Sequence, residues 1–315
     1  MEKSFLSIVI PAYNEEGNVK ELFLEIKNTL DKILKKNISG YEVIFIDDGS
    51  TDKTFLNLLS LKNEYKEKVR IIQFRKNFGQ TPALKAGFNL AKGDLIVTMD
   101  SDLQNDPKDI PRLIEKLKEG YDVVSGWRIN RQDGFSKRIF SKIANKLRKK
   151  MIGDDLHDYG CSLKIYKKEC IKDLQLSGEL HRYITAYLYI KGYKIGEIKV
   201  NHRPRKSGKT KYDLNRGVNG LMDLFFLKFW SSFSDRPLHF FGRLGIYQWI
   251  LALLIFIEQI IKAIIVKGLW FGPLFALAIT LLTTGLLTII FGFLSEMMSR
   301  AYFKEEERYS IKRTI

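Results

Sequence analysis

The chain has 315 residues and a formal net charge of +16, because 52 lysines and arginines outnumber 36 aspartates and glutamates. This excess favours a polyanionic partner, such as nucleic acid, phospholipid or a phosphorylated substrate. The two cysteines, Cys161 and Cys170, are too few for a disulfide framework and lack a metal-binding spacing, which favours a reducing compartment. No signal peptide is expected, since residues 1–5 carry no apolar segment.

The first part of the chain alternates between strand and helix patterns. Short apolar runs predict strands at Phe5–Pro11, Tyr41–Ile46, Val69–Phe74, Leu95–Met99 and Val123–Ser125. Helical patterns predict helices at Glu16–Lys35, Thr51–Tyr65, Thr81–Ala91 and Pro107–Glu119. This βαβα order predicts an α/β fold with a mostly parallel sheet covered on both faces. Ligands of such sheets bind at the carboxyl ends of the strands.

Polar residues follow the first four predicted strands, in residues 11–15, 47–52, 75–79 and 100–104. A Rossmann dinucleotide site is excluded, because no GxGxxG motif follows the first strand. The segment Asp47–Asp52 could also be a turn with a helix cap. Capping explains Ser50 and Thr51 at least as well as ligand binding does. It explains Asp47 less well, because a second carboxylate adds repulsion that capping does not need.

Asp100 and Asp102 flank a tight turn directly after the fourth predicted strand. Two carboxylates at this spacing can share one hard divalent cation, and Mg²⁺ or Mn²⁺ usually completes its oxygen shell with substrate phosphates. Gln104 adds a neutral oxygen two residues further on. An isolated DxD is usually a solvated turn, but its place in a βαβ series favours a metal site. We therefore expect Mg²⁺ or Mn²⁺ as the cofactor.

The ordered motifs PAYNE, DDGSTD, NFGQTPALKAG and DSDLQ resemble those of the inverting glycosyltransferases of the GT-A fold. That large family includes the cellulose and chitin synthases. Within it the chain is particularly similar to dolichol-phosphate-mannose synthase-like and polyprenyl-phosphate glycosyltransferases. The likeness continues through residues 125–128, 157–162 and 202–212, and it covers residues 1–235. It implies a GT-A (Rossmann-like, mostly parallel sheet) catalytic domain that transfers a hexose to polyprenyl phosphate.

The resemblance also implies roles for particular residues. A nucleotide-sugar site would be formed by Pro11, Ala12, Tyr13, Glu15, Asp47, Asp48, Asn77, Gly79, Lys85, Asp100, Ser101 and Asp102. Asp100, Asp102 and Gln104 would hold the metal against the donor diphosphate and so neutralise the leaving group. Catalytic assistance would come from Arg128, Asp158, Arg205 and Lys211. Arginine suits this task because its planar fork binds phosphate bidentately.

A phosphate acceptor has a different chemical need from an alcohol. An alcohol requires a general base, whereas a phosphate monoester is largely dianionic near pH 7 and requires cations instead. The chain offers many: Arg128, Arg131, Lys137, Arg138, Arg203, Arg205, Lys206, Lys209 and Lys211. Asp158 is therefore either a base or an organiser of arginines, and the sequence leaves both open. His157 and His181 are interpreted as structural.

Two apolar segments near the end of the chain predict a transmembrane hairpin over 239–300. Leu269–Leu294 carries no charge and is longer than the ~20 residues that a bilayer needs. Gly245–Val266 is interrupted only by Glu258 and Lys262, which can pair at i, i+4. Lysines and arginines flank the open end of the hairpin, so both termini and the catalytic domain are expected in the cytoplasm, at the cell membrane.

The predicted organisation has four parts: a catalytic domain over 1–213, an interfacial amphipathic helix or linker over 214–238, the hairpin, and a charged tail over 301–315. Ser136–Met151 combines an apolar stripe with a basic face and is interpreted as a helix lying on anionic lipid. The expected partners are a nucleotide-sugar, polyprenyl phosphate (undecaprenyl or dolichyl) and the bilayer. A homo-oligomer is left open, and nucleic acid is not expected.

Alternative functions make distinct demands on the sequence. A processive polysaccharide synthase would need a QxxRW-type motif and further spans, and the sequence shows neither. A nucleic-acid-binding protein would not explain the acidic strand ends. A non-catalytic membrane scaffold would tolerate loss of Asp100, Asp102 and Arg128, yet all three are present. We therefore favour an enzyme that uses a UDP-sugar, with GDP-mannose as the second candidate donor.

Overall fold

A computed structural model describes residues 3–34, 38–129, 149, 152–172, 174, 176, 180–204, 222, 225, 228–229, 232–233, 236–266 and 272–302. The described residues divide into two compact units, and the division lies directly after Phe225. Three predicted features lie largely or wholly outside these residues: the basic helix Ser136–Met151, of which only Lys149 is described, most of the interfacial segment 214–238, and the tail beyond Tyr302.

The first unit is an α/β domain. Its described strands are β1 (Ser4–Ala12), β2 (Ile38–Asp47), β3 (Val69–Gln73), β4 (Leu95–Thr98), β5 (Val123–Arg128), β6 (Lys164–Lys167) and β7 (Ile195–Val200). Its described helices are α1 (Val19–Ile33), α2 (Thr54–Glu64), α3 (Gln80–Leu90), α4 (Ile110–Lys118), α5 (Lys168–Lys172) and α6 (Ile184–Ile190). Short 3-10 turns occupy Pro107–Asp109 and Leu180–Tyr183.

The strands form one sheet in the order β3-β2-β1-β4-β6-β5-β7. β1 pairs in parallel with β2 and β4, β2 with β3, and β5 with β7. β6 runs antiparallel between β4 and β5. The predicted mostly parallel sheet is therefore confirmed, with one antiparallel strand inserted. As a result, β6 begins at the edge where β4 and β5 end.

Both faces of β1 are buried, as expected for a strand inside a helix-covered sheet. Ile8 and Ile10 are fully buried and share a core cluster with five α1 residues, Val19, Leu22, Phe23, Ile26 and Leu30. Val9 faces the other side, where α3 packs closely. A Cβ added at Gly87 would lie only 2.3 Å from Val9 Cγ1. The absence of a side chain at Gly87 thus lets α3 approach the sheet.

The described elements differ from the predicted ones mainly at their ends. α1 begins at Val19 instead of Glu16, because the preceding residues form a loop held by hydrogen bonds to the β2–α2 loop. β5 extends beyond the predicted Ser125 to Arg128, since its pairing with β7 continues to that residue. This extension places Arg128 at the carboxyl end of the strand.

The second unit contains two long helices, α7 (Pro237–Val266) and α8 (Pro273–Tyr302). They pack antiparallel and closely: a Cβ at Gly245 would lie 2.7 Å from the Gly285 carbonyl oxygen. Trp249 Nε1 donates to the Leu282 carbonyl at 3.0 Å. Small residues at such a crossing allow backbones to approach, which is typical of membrane helix pairs.

Both helices are long and apolar enough to cross a membrane, over Pro237–Ile265 and Pro273–Ser299. The first begins before the predicted Gly245, and the second begins after the predicted Leu269. Each starts at a proline, the residue whose missing N–H is tolerated in the first turn. The predicted i, i+4 pair is present, with Lys262 Nζ 2.6 Å from Glu258 Oε1.

Candidate active site

The loop after β1 and the loop after β2 are held together by side-chain hydrogen bonds. Asn14, in the left-handed region with φ of 56°, donates its N–H to Ser50 Oγ at 3.0 Å. The Asn14 side chain accepts from the Thr51 N–H at 2.8 Å, and the Glu15 N–H donates to Thr54 Oγ1 at 2.8 Å. Ser50 and Thr51 thus join the two loops, which keeps the predicted nucleotide residues of each loop adjacent.

Asp47 and Asp48, at the end of β2, have different hydrogen-bond partners and therefore different roles. Asp48 accepts from the Phe78 N–H at 2.7 Å and the Gly79 N–H at 2.9 Å, so it holds the loop before α3. Asn77 donates its side-chain amide to the Asp48 carbonyl at 3.3 Å. Asp47 is fully buried, and its Oδ2 has no hydrogen-bond partner among the described residues. A buried acceptor without a donor is costly, which makes Asp47 a candidate to receive a ligand donor.

The Asp100–Asp102 turn lies directly after β4. Leu103 adopts a left-handed φ of 63°, which closes the turn, and the Gln104 N–H donates to Asp102 Oδ1 at 3.1 Å. Gln80 Nε2 donates to Asp100 Oδ1 at 2.8 Å. Burial and the neighbouring Asp102 carboxylate raise the pKa of Asp100 above its usual range. A divalent cation would relieve this repulsion, so the donor set fits the predicted metal.

The described residues hold no cluster of three or more His, Cys, Asp or Glu side chains with metal-binding geometry. Two carboxylates alone suit Mg²⁺ or Mn²⁺, which takes its remaining oxygens from water and phosphate. Gln104 is tied to a neighbouring segment: Arg203 donates its N–H to the Gln104 carbonyl at 2.9 Å, and Gln104 Nε2 lies 3.4 Å from the Arg203 carbonyl. The metal-ligand role of Gln104 stays a prediction.

Arg128 and Asp158 form a bidentate ion pair beside this turn. Arg128 Nε lies 2.7 Å from Asp158 Oδ2, and Nη2 lies 3.0 Å from Oδ1. The Asp158 side chain is 5% exposed and that of Arg128 15%. Burial opposes the guanidinium charge, but the Asp158 carboxylate outweighs it and raises the pKa of Arg128. Glu197 supports the pair by accepting from the Asp158 N–H at 3.0 Å.

Of the predicted site residues that the structure describes, Pro11, Asp100 and Arg128 line a cleft with a volume of about 220 Å³. The others, Asp47, Asp102 and Asp158 among them, are not part of its lining. Its lining includes Pro11, Gln80, Asp100, Arg128, Lys164 and Arg182. The structure thus brings together predicted residues from the ends of β1, β4 and β5. Lys85, in contrast, is exposed on α3 and does not line the cleft. Arg205 and Lys211 lie outside the described residues, and their predicted roles stay predictions.

Arg203, another predicted acceptor cation, already has carboxylate partners. It lies 2.7 Å from Glu25 Oε2 and 2.8 Å from Asp106 Oδ1. Its charge is therefore compensated within the protein. His157, interpreted as structural, stacks on Trp127 with ring centroids 4.1 Å apart and lies 2.8 Å from Glu197.

Several residues line the cleft without being among the predicted site residues, including Gln80, Lys164 and Arg182, which have long polar or charged side chains. Gln80 lies inside the motif NFGQTPALKAG and begins α3, so its place in that motif is a usable signal. Lys164 begins a four-residue strand in which two residues, Ile165 and Tyr166, are flanked by lysines, a pattern that resembles an ordinary surface strand. His181 was discounted as structural, yet it also lines the cleft and lies 2.7 Å from Thr81 Oγ1.

Known enzymes match the chain along most of its length. Residues 7–175 match the family described as Glycosyl transferase family 2. The chain is 39% identical over 306 residues to dodecaprenyl-phosphate galacturonate synthase of Rhizobium johnstonii, which covers 96% of this chain and 89% of the relative. It is 32% identical over 320 residues to undecaprenyl-phosphate 4-deoxy-4-formamido-L-arabinose transferase of Edwardsiella ictaluri, covering 99% and 94% of the two chains.

The fold is similar to that of glucosyl-3-phosphoglycerate synthase from Mycobacterium tuberculosis, solved with Mn²⁺, UDP and glucosyl-3-phosphoglycerate. The TM-score is 0.54 at 18% identity, over 71% of this chain and 80% of that chain. This likeness confirms the predicted GT-A fold class. The chain therefore belongs to glycosyl transferase family 2, among its polyprenyl-phosphate glycosyltransferases.

Proposed function

We propose that the protein transfers a sugar from a nucleotide-sugar to polyprenyl phosphate, with inversion, at the cytoplasmic face of a membrane. The observation that carries this proposal is the hydrogen bonding of the Asp158 carboxylate. Its Oδ2 accepts from Arg128 Nε and from the Arg128 N–H, and its Oδ1 accepts from Arg128 Nη2 and the Gly160 N–H. A carboxylate held by this many donors is a poor proton acceptor.

Because the Asp158 carboxylate is a poor proton acceptor, it is poorly suited to activate an acceptor that must lose a proton. An alcohol would have to lose its proton during attack, whereas a phosphate monoester is already largely ionised near pH 7. The arrangement therefore favours a phosphate acceptor, and Asp158 acts as the organiser of Arg128. Arg128 lines the cleft and has a planar fork that suits phosphate.

Two further observations support a lipid-borne phosphate. The relatives are named for dodecaprenyl phosphate and undecaprenyl phosphate, and they cover nearly the whole chain. The second unit offers two helices that are long and apolar enough to cross a bilayer. A protein anchored in this way meets its acceptor at the membrane surface, where the acceptor is concentrated.

The donor side is formed by acidic residues. Asp100 and Asp102 would hold Mg²⁺ or Mn²⁺, and the bound cation would neutralise the leaving diphosphate. Asp47 Oδ2 would accept a donor from the base or the ribose. A UDP-sugar is favoured over GDP-mannose, and the structural neighbour contains UDP with Mn²⁺. The relatives carry galacturonate and a formamido-arabinose in their names, which supports a modified sugar as a further candidate.

In the proposed reaction an oxygen of the acceptor phosphate attacks C1 of the sugar from the face opposite the diphosphate. The C1–O bond to the diphosphate breaks, and a nucleoside diphosphate leaves. The single displacement inverts C1. Arg128 orients the attacking phosphate, and the buried Asp158 keeps the Arg128 fork in place by two parallel hydrogen bonds.

The test uses the full chain in lipid nanodiscs with undecaprenyl phosphate, Mn²⁺ and a panel of UDP- and GDP-sugars. We expect a lipid-linked sugar phosphodiester by mass spectrometry and release of the nucleoside diphosphate. Release of the nucleoside monophosphate would instead indicate transfer of a phosphosugar and would contradict the proposal. So would equal turnover without the lipid phosphate. An alcohol lipid of the same length serves as the matched acceptor control.

A further inference from the structure

Lys164 is a buried cation on the floor of the cleft. It begins β6, where its register partners are Thr98 on β4 and Ser125 on β5. Because β6 is antiparallel, this first residue lies at the edge where the two neighbouring strands end. Lys164 is 3% exposed, yet it lines the same cleft as Asp100 and Arg128. The fold thus places an ammonium group between the proposed donor and acceptor residues.

The protein compensates the charge of Lys164 only in part: Asp158 and Asp100 lie near enough to favour the ammonium form, but burial outweighs them. Its Nζ donates to the Tyr159 carbonyl at 3.1 Å, and within the described residues no salt bridge links it to a carboxylate. An ammonium group has three protons to donate, and burying it without an anion is costly. Burial accordingly lowers the pKa of Lys164. The nearby carboxylates have other partners: Asp158 is paired with Arg128, and Asp100 accepts from Gln80.

Other basic residues of this unit are arranged differently. Arg70 lies 3.1 Å from Glu42, and Lys167, at the far end of β6, lies 2.7 Å from Asp122. Each of these cations has a carboxylate partner and serves the fold. Lys164 combines burial, a position in the cleft and a backbone carbonyl as its hydrogen-bond partner among the described residues. This combination indicates a group that completes its hydrogen bonds with an anion entering the cleft.

We propose that Lys164 is a substrate-contact residue whose ammonium group binds a phosphate oxygen in the cleft. The inference rests on the proposed function and names a further residue for it. The phosphate has two possible sources: the diphosphate of the donor, next to Asp100, or the phosphate of the acceptor, next to Arg128. In either case Lys164 adds positive charge where two anionic substrates must approach each other.

The experiment compares wild type, Lys164→Met and Lys164→Arg as full chains in nanodiscs. Lys168→Met is the matched control, because the exposed Lys168 also donates to a backbone carbonyl, that of Lys92 at 3.2 Å. Calorimetry with Mn²⁺ gives the affinity for UDP and for uridine, which lacks phosphate. Steady-state kinetics give KM and kcat for undecaprenyl phosphate. Thermal melting establishes that each variant is folded.

If the donor diphosphate is the ligand, Lys164→Met should bind UDP at least about tenfold more weakly and bind uridine as wild type does. If the acceptor phosphate is the ligand, Lys164→Met should keep the wild-type UDP affinity, and its acceptor KM should rise at least about tenfold. Lys164→Arg should recover part of either loss, because it keeps the charge. Lys168→Met should match wild type in every measurement.

A folded Lys164→Met protein with UDP affinity and acceptor KM within about twofold of wild type would overturn the proposal. An equal loss of uridine and UDP affinity would do so as well, because it would indicate a structural role. If the methionine variant does not fold, Lys164→Gln replaces it, since its amide keeps a donor for the Tyr159 carbonyl. Failure of the wild type to bind either UDP or GDP, or to use the acceptor, would instead contradict the proposed function.

Discussion

Replacing Asp158 with asparagine separates the two roles that the sequence leaves open for this residue. The substitution keeps the shape of the side chain but removes the charge that faces Arg128, whose Nε and Nη2 lie 2.7 and 3.0 Å from the carboxylate. Both side chains are mostly buried. Removing one partner of a buried pair costs about 3–5 kcal/mol, because the other charge stays behind without compensation. We expect a loss of stability near this size.

A double-mutant cycle measures the coupling. Arg128→Gln, Asp158→Asn and the double variant are unfolded with urea in detergent, and near-UV circular dichroism follows the loss of structure. If Asp158 organises Arg128, the double variant should be more stable than the sum of the single losses predicts, by roughly 1.5–3 kcal/mol. Asp158→Asn should also raise the acceptor KM as Arg128→Gln does.

A base role makes the opposite prediction. Asp158→Asn would then lower kcat with little change in the acceptor KM and would remove an acidic limb from the pH–rate profile. Additive stability losses together with this kinetic pattern would refute the organiser role. Asp155→Asn is a suitable control, because that carboxylate is exposed and pairs with the exposed Lys149.

Three further predictions follow from the described contacts. With Mn²⁺ present, Asp102→Ala should bind UDP at least about tenfold more weakly than wild type, whereas in excess EDTA the two proteins should have equal UDP affinity. Full turnover of the wild type in EDTA would contradict the metal site. Partial burial opposes ionisation of Asp31, but hydrogen bonds from Lys68, Tyr41 and Lys27 outweigh it and lower its pKa to about 2. The contribution of ionised Asp31 to the free energy of unfolding, about 1 kcal/mol after allowance for solvent screening, is present above pH 4 and should be lost as the pH falls towards 2. Identical losses of stability in acid titrations of Asp31→Asn and wild type would contradict this. A membrane-impermeant thiol reagent on intact cells should label Gly268→Cys and spare Ser310→Cys, and the reverse pattern would refute the proposed cytoplasmic termini.

Local patterns in the sequence predict most of the secondary structure and the pair of long apolar helices near the end of the chain. The alternation of short β-branched runs with helical periods is a property of neighbouring residues, so β1 to β5 and α1 to α4 are found close to their predicted positions. The acidic motif after β4 was found for the same reason. In a parallel βαβ series the carboxyl end of each strand faces one edge, and this rule places Pro11, Asp47 and Asp100 at that edge without further information.

The tertiary structure decided which of those residues work together. Asp158 meets Arg128 across 30 positions in the chain, and both of its oxygens are occupied, which no local pattern reveals. Lys164 looks like an ordinary lysine in a short strand until the antiparallel insertion of β6 places it between the ends of β4 and β5. Periodicity depends on contacts within a few residues, whereas burial and charge compensation at the cleft depend on segments that meet only when the sheet forms.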